Sequence, residues 1–313
     1  MTSLAKSAPR LPATNSPRIA LASCGPFPPV ADDEGPLRAA LEALGARVDA
    51  PPWDAEVDWA AYDAVLIRTT WDYHERRAEF VAWSERVASV TRLFHGPDVV
   101  RWNTDKSYLR ALAAAGIPLA ETVWLALGTP RVEALRAVSA AAARWGRAFL
   151  KPIVGANAWR TLAFAHDEAG LEAAARLLAA PGDGPHLAAG FMLQPYLPSV
   201  EAEGERSVIW IDGALSHGVA KVPARGDYRV QEDWGASDVG TVPDPELADL
   251  ATRAITAAET ILGQRLLFGR ADALRDRDGR LVLVELELVE PCLFFRHGPD
   301  AGERLARALW ARL

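Results

Sequence analysis

The segment 266–290 constrains the fold of this chain more than any other. Leu266–Asp276 and Arg280–Glu290 are strand-like runs flanking Asp278-Gly279, a dipeptide that favours a two-residue hairpin turn. With those two residues as the loop, Arg277 pairs with Arg280, Asp272 stands opposite Glu285, and Arg270 stands opposite Glu287. Side chains alternate along a strand, so Arg270, Asp272, Glu285 and Glu287 share one face. Val282, Val284, Leu286 and Leu288 are expected on the other, while Leu281 and Leu283 carry apolar character onto the charged side. A strand this apolar is buried. Three carboxylates gathered on it repel one another and lose hydration unless positive charge sits among them. One arginine does not suffice, and clustered carboxylate oxygens are the ligands that Mg²⁺ or Mn²⁺ prefers. The alternative is a solvated charged face on an edge strand, which the apolar neighbours disfavour. Pro291 ends the strand and leaves a fourth carboxylate, Glu290, at the rim of the same site.

Upstream, strand and helix signals alternate from residue 18 onward. Arg18–Cys24 and Tyr62–Thr70 read as apolar strands, the first followed by a loop with Pro26, Pro28 and Pro29. Helical stretches follow near Asp32–Leu44 and His74–Ala88, with a short strand near Leu93–His95. A small open α/β domain of this kind gathers ligands at the C-terminal ends of its strands. Arg68, Trp71, Asp72 and Tyr73 stand at such an end, where Arg68 suits a substrate carboxylate and Asp72 an amine. A structural loop with Trp71 in the core is the competing reading.

Thr104 is expected to cap a helix that carries Lys106 in its first turn. Strands are then expected at Glu121–Leu127, Arg147–Ile153 and Thr161–His166, with helices ending at Gly146 and spanning Asp167–Ala179. Beyond residue 190 the pattern is mostly strand, apart from an irregular stretch at Arg225–Gly240, a helix at Pro245–Leu262 and a C-terminal helix from about Asp300. The organisation expected is a loose tail over 1–17, an α/β substrate-side domain over 18–102, a central segment over 103–193 and a C-terminal segment over 194–313. The pairs Trp53-Asp54 and Trp71-Asp72 are too close for a propeller repeat of roughly 40 residues.

Composition removes several function classes. A net charge of −7 argues against general nucleic-acid binding. No apolar run is long enough for a membrane helix, and the first residues lack the apolar core of a secretory signal. Two cysteines indicate no disulfide framework and fit a reducing cytoplasm. Of 34 basic residues only four are lysine. A lysine ammonium is a compact charge that approaches a phosphate end-on, whereas a guanidinium binds as a planar fork. Lys106, Lys151 and Lys221, the three outside the tail, therefore mark places where arginine does not fit, unless they are ordinary surface lysines.

The pieces Asn103-Thr104-Asp105-Lys106, Phe149-Leu150-Lys151-Pro152, Gln194-Pro195-Tyr196-Leu197, Gly204-Glu205-Arg206, Gly226-Asp227-Tyr228-Arg229, Arg270-Ala271-Asp272 and Glu285-Leu286-Glu287 occur in an order that resembles the ATP-grasp enzymes. Within them the chain most resembles the prokaryotic glutathione synthetase-like branch, and there the group of the O-ureido-serine cyclo-ligase of cycloserine biosynthesis. The resemblance implies an α/β fold, α+β in its C-terminal part, with an N-terminal open α/β domain, a central lid and a C-terminal antiparallel-sheet domain. It makes Lys106 and Lys151 phosphate contacts of ATP, and it places Gln194, Tyr196 and Leu197 at the adenine hinge. Glu205, with Glu201 as a second, would meet the ribose, and Lys221 would help orient the nucleotide. Arg229 would reach the γ-phosphate, and Arg270 would stabilise the transferring phosphoryl group. Asp272, Glu285 and Glu287 become the ligands of Mg²⁺ (or Mn²⁺), with Arg68, Trp71, Asp72 and Glu290 on the substrate side.

The implied activity is an ATP- and Mg²⁺-dependent carboxylate-amine ligase that acts on a small amino-acid-like substrate through an acylphosphate, intramolecular ring closure included. A carboxylate kinase and a nucleotide-binding protein without turnover are the alternatives. No nucleic-acid or membrane partner is implied, and a homo-oligomer is left open. In one respect the chain departs from the pattern. The lid loop Val154–Arg160 has a single glycine, and Trp159 and Arg160 make it bulky.

Overall fold

The computed structural model describes residues 16–25, 32–179 and 186–313. The expected tail and the prolines after Gly25 fall almost wholly outside the described residues. A parallel sheet comes first, built from β1 (Arg18–Ser23), β2 (Arg47–Asp49), β3 (Ala64–Thr69) and β4 (Arg92–Phe94) in the order β2-β1-β3-β4. Helices α1 (Gly35–Ala43) and α2 (Arg77–Val90) pack into different cores about this sheet, which is why β1 and β3 are apolar nearly throughout. β2, at three residues, is too short for an alternating pattern to register in the sequence.

Two short helices follow, α3 (Pro97–Asn103) and α4 (Tyr108–Ala114). Thr104 does not begin a helix, contrary to expectation. It closes α3, its hydroxyl donating to the Val100 carbonyl at 2.6 Å, and Lys106 lies in the turn between the two helices. A serine or threonine can bond back to the preceding turn as readily as forward, and here the backward bond wins.

The central antiparallel sheet comprises β5 (Val123–Leu125), β6 (Arg147–Pro152), β7 (Leu162–Ala165) and β8 (Phe191–Pro195) in the order β5-β8-β6-β7. Helices α5 (Arg131–Trp145) and α6 (Glu168–Ala179) share a core with it. The last sheet is antiparallel as well, with the order β11-β10-β9-β12-β13. After the single turn α7 (Ser199–Ala202) come β9 (Glu205–Ile211), β10 (Ala214–Val222) and β11 (Ser237–Thr241). Helix α8 (Pro245–Leu262) then precedes β12 (Phe268–Arg275), β13 (Leu281–Glu287) and α9 (Ala301–Trp310). The Asp244 carboxylate caps α8 through the Leu247 amide at 2.9 Å, and Pro245 opens its first turn. β11 lies in the stretch read as irregular. It is an edge strand whose largely exposed residues carry no hydrophobic alternation. Helix α3 spans the expected boundary at 102/103, and β8 spans that at 193/194.

The hairpin pairs as expected where it matters, by a different route. Asp272 is opposite Glu285 and Arg270 opposite Glu287, yet nearer the turn Ala273 faces Leu283 and Arg275 faces Leu281. The loop is not two residues long: Asp276 and Arg280 close it, with Gly279 at φ +79°. A bulge at Val284 then restores the register. That bulge also re-sorts the faces. Leu281, Leu283, Leu286 and Leu288 pack in one core with Leu250 and Ala254 of α8, whereas Val282 and Val284 pack with Tyr196, Leu197 and Leu274.

β13 borders its sheet, but its outer edge is not left to solvent. The Leu283 amide donates to the Pro118 carbonyl at 2.9 Å, and the Leu286 amide to the Tyr108 hydroxyl at 2.8 Å. The Asn103 side-chain amide donates to the Leu286 carbonyl at 2.8 Å and accepts from the Leu288 amide at 2.7 Å. The buried His95 ring takes part too. Its Nδ1 faces the Leu288 carbonyl and its Nε2 accepts from the Leu267 amide at 2.8 Å, while burial pushes its pKa down to about 4, so the ring is neutral.

Helix α9 returns from the C-terminal sheet to pack on α1. A Cβ on Gly302 would meet the Pro36 carbonyl carbon at 2.8 Å, so only glycine allows that approach.

Arg68 belongs to this framework, which corrects its expected role as a substrate ligand. Its guanidinium is buried and bonded to both Glu34 oxygens at 2.9 and 2.5 Å, to the Pro291 carbonyl at 2.9 Å, and lies over Phe268. Removing one member of a buried pair leaves a bare charge. Glu34→Ala should therefore lower unfolding free energy by roughly 3–5 kcal/mol, while Glu34→Leu combined with Arg68→Met should lie much nearer wild type. Urea unfolding of the three proteins checks this, and equal losses in the single and double variants would contradict it.

Candidate active site

A cavity of about 300 Å³ lies between the central sheet, the hairpin and the loop after β3. Its apolar end is lined by Phe149, Pro195, Leu197, Val200, Leu274 and Val284. The bulge at β13 places Val284 there beside Glu285. Gln194 reaches this end from β8 and donates to the Thr122 hydroxyl at 3.0 Å. Tyr196 does not line the cavity itself. Its ring packs on Phe149 and under Arg147, so side-chain packing positions the strand end. Glu201 is also absent from the cavity wall, because its carboxylate is bonded to the Tyr196 hydroxyl and lies near Arg147. Its expected role at a ribose is not met here. Glu205 does line the cavity and pairs with Lys221 at 2.5 Å.

At the charged end most groups are already matched. Asp272 is held by Arg270 at 3.0 Å, by the Ser207 hydroxyl at 2.6 Å and by Lys221 at 3.4 Å. These contacts keep its carboxyl well below the usual range despite burial. Arg270 also bonds Glu287 and the Cys292 carbonyl, and Lys106 bonds Glu285 and the Gly155 carbonyl. The expectation of a positive charge among the carboxylates is met by three side chains, Arg270, Lys106 and Lys221, rather than by one arginine. Among the described residues no three His, Cys, Asp or Glu side chains converge on one metal-sized point. Asp272 in particular spends both oxygens on Arg270.

Lys151 differs from the other two lysines. It lines the cavity with no ion pair among the described residues, and burial lowers its pKa against the opposing pull of Glu285. Arg229 lines the cavity as well, yet its guanidinium forks onto Asp227 at 3.0 and 2.6 Å and lies 3.6 Å over Trp234. Asp72 is turned away from the cavity, correcting its expected role at an amine. Its carboxylate accepts from the Trp53 indole at 2.8 Å, so the two Trp-Asp pairs noted in the sequence bond across to each other. Trp71 and Tyr73, on either side of it, do face the cavity.

The lid loop contributes Gly155, Asn157 and Trp159. Asn157, Ala158 and Arg160 all adopt positive φ, between 48° and 56°, a left-handed conformation uncommon for residues with a side chain. Trp159 meets the ring of His74 edge-on at 5.1 Å. The sequence reading missed Leu274, Val284 and the segment Gln231–Asp233 as cavity wall. Alternation along β12 already puts Leu274 on the face of Arg270 and Asp272, only the bulge brings Val284 there, and the third lies in a stretch without periodicity.

Glu290 is buried at 9% exposure, and its pKa is pushed up to about 8 by burial first and by Glu287 next. A carboxyl whose pKa is raised on folding stabilises the protein while protonated. That contribution is full below the ordinary value near 4.5 and fades as pH climbs toward about 8. Glu290→Gln should therefore match wild type in melting temperature near pH 4, and exceed it by an amount equivalent to roughly 3–5 kcal/mol above pH 8. Melts across that range would refute this if the difference stayed constant with pH.

Residues 19–95 match the family described as the D-cycloserine synthetase DcsG N-terminal domain. The cycloserine biosynthesis protein DcsG of Streptomyces lavendulae is 34% identical over 305 residues, covering 91% of this chain and 95% of that protein. The crystal structure of D-cycloserine synthetase DcsG superposes with a TM-score of 0.84 at 32% identity, covering 94% of this chain and 99% of that one. The ATP-grasp ligase PsnB, complexed with its minimal precursor, shares the fold at a TM-score of 0.62 and 19% identity, covering 96% of this chain and 100% of that one. With the parallel sheet, the two antiparallel sheets and the cavity between them, these matches lead to one conclusion: the chain has the ATP-grasp fold and belongs to the DcsG family of ligases.

Proposed function

We propose that this protein is an ADP-forming ligase that closes a C–N bond on a small amino-acid-like substrate, with the conversion of O-ureido-D-serine to cycloserine as the first reaction to test. In such a reaction a substrate carboxylate becomes an acylphosphate, and a nitrogen then displaces the phosphate; with O-ureido-D-serine the carbamoyl group on that nitrogen must also be lost by hydrolysis, as carbon dioxide and ammonia. The observation that carries the reading is Lys151, an ammonium facing the cavity without a carboxylate partner among the described residues, with Lys106 in the turn beside the lid. An unmatched cation of this kind fits a phosphate. The apolar end around Phe149, Leu197 and Val284 fits a flat base, with Gln194 and the backbone up to Leu197 at its edge. Glu205, which lines the cavity and pairs with Lys221, is the residue we assign to the ribose hydroxyls.

The donor set suits magnesium in a limited way. Glu285 and Glu287 each give one oxygen to a cationic side chain and keep the other, and burial with mutual repulsion raises the Glu287 pKa to about 7. Excess negative charge is thus present without an enclosed cage. Magnesium commonly binds through one or two carboxylates plus substrate phosphates, so Glu285 and Glu287 are the residues we assign to it. Asp272 stands behind them and fixes Arg270. When bound, the ion would supply neutralisation of phosphate charge. Arg270 and Lys106, each fixed by carboxylate contacts, are the residues we assign to stabilising the charge that develops on the transferring phosphoryl group. Trp159 lines the cavity from the lid loop, where closure of that loop would exclude the water that an acylphosphate must avoid. Phosphoryl transfer depends mainly on such positioning. The cytoplasm, where ATP is abundant, is the compartment this reading requires.

ADP release with Mg·ATP and O-ureido-D-serine, followed by mass spectrometry of the products, tests the proposal. Wild type should turn over and yield a product lighter than the substrate, and EDTA should abolish the activity. Asp272→Asn and Glu285→Gln should each lower kcat by roughly 10²-fold or more. Failure to bind a non-hydrolysable ATP analogue would remove the nucleotide assignment. Binding without ADP release for any amino acid or dipeptide would remove the ligase reading.

A further inference from the structure

We propose that Glu290 and Tyr73 form a cation subsite that receives the ammonium group of an amino-acid substrate, with the Trp71 indole as its wall. The inference rests on the ligase reading for the direction in which the substrate lies, and it adds which end of the substrate is recognised.

The argument begins with pairing. Lys106 answers Glu285, Arg270 answers Glu287, and Lys221 answers Glu205 at 2.5 Å. Arg296 answers Asp238 and Glu232 at the far rim. Glu290 is buried at 9% exposure, lines the same cavity, and has no cationic partner among the described residues. Its neighbours are the Tyr73 hydroxyl, which bonds its carboxyl, and the charges of Glu287, Glu285 and Lys106. Lys106 and Arg270 already answer Glu285 and Glu287, so the Glu290 carboxyl is the group at this end of the cavity left without a cation among the described residues. A buried carboxyl without a counter-charge is costly unless something arrives to match it.

The surroundings are built rather than incidental. The Trp71 indole donates to the Glu290 backbone carbonyl at 3.0 Å, which fixes the ring against the segment that carries the carboxyl. Tyr73 is buried at 5% exposure and packs on Phe80, so its hydroxyl cannot swing away. The Arg68 guanidinium holds the carbonyl of the next residue, Pro291, at 2.9 Å and anchors the chain behind Glu290. With the cationic Lys151 among the groups at the other side, a zwitterionic amino acid fits with its ammonium toward Glu290 and its reacting end toward the phosphate site.

Calorimetric titration of the full chain, saturated with magnesium and a non-hydrolysable ATP analogue, tests the subsite. The two probes are O-ureido-D-serine and the same molecule with hydrogen in place of the α-amino group. Wild type should prefer the amine by roughly 100-fold or more, since a site built around a polar group rejects the ligand that lacks it. Glu290→Gln should reduce the preference to a few-fold at most, and Tyr73→Phe should reduce it part-way, with melting temperatures reporting that both variants are folded. A wild-type protein without preference, whether it binds both probes or neither, overturns the subsite. So does a Glu290→Gln protein that keeps the preference or loses magnesium affinity instead. ADP release, read separately, decides the ligase reading. Turnover without amine preference would retain the ligase and remove the subsite, and amine preference without turnover would do the reverse.

Discussion

The outer edge of β13 is the constraint on which the rest of the structure depends. A strand that carries Glu285 and Glu287 into a cavity needs its other face in a core and its edge away from other chains. Here the free backbone groups of that edge are taken by Pro118, Tyr108 and Asn103, with His95 reaching the Leu288 carbonyl from the end of β4. The consequence is spatial. Fastening 95–118 along β13 brings the turn between α3 and α4 against the acidic residues, and Lys106 lies in that turn. Edge protection and assembly of the charged site are one arrangement.

The second organising fact is how charge is matched. Arg270 sits between Asp272 and Glu287 on the same face of the hairpin, and Lys221 reaches across from β10 to Glu205 and Asp272. Pairing of this kind is weak evidence for stability but strong evidence for fixed geometry, because removing one partner exposes the other. Against that background two groups without an ion pair among the described residues stand out. Lys151 carries an ammonium and Glu290 a carboxyl, and both line one cavity. A substrate pair bearing phosphate and ammonium would complete them both.

The lid shows what the loss of glycine costs. A glycine-rich loop reaches left-handed conformations without strain, whereas here Asn157, Ala158 and Arg160 occupy them. Trp159 meets His74 of the segment after β3, so the loop is braced by an aromatic contact in the region where its backbone is least favourable.

Much of this was legible in the chain. The hairpin, the helix Pro245–Leu262, the parallel character of the first sheet and the three informative lysines follow from periodicity, capping residues and a composition in which arginine replaces lysine elsewhere. These are local properties, and local physics specifies them. Even so, the opposition of Asp272 to Glu285 came out as expected only because a longer turn and a bulge cancel.

Tertiary structure alone decided the partners. Arg68 and Asp72 stand at a strand end where a ligand would be expected, yet Glu34 and Trp53, 34 and 19 residues away, occupy them. Glu201 is likewise occupied by Tyr196 and Arg147, and Asp272 gives both oxygens to Arg270. Sequence determined which residues carry charge and on which element. Folding determined which of those charges are already matched and which are left for a substrate, because matching depends on distances between segments that no local pattern encodes.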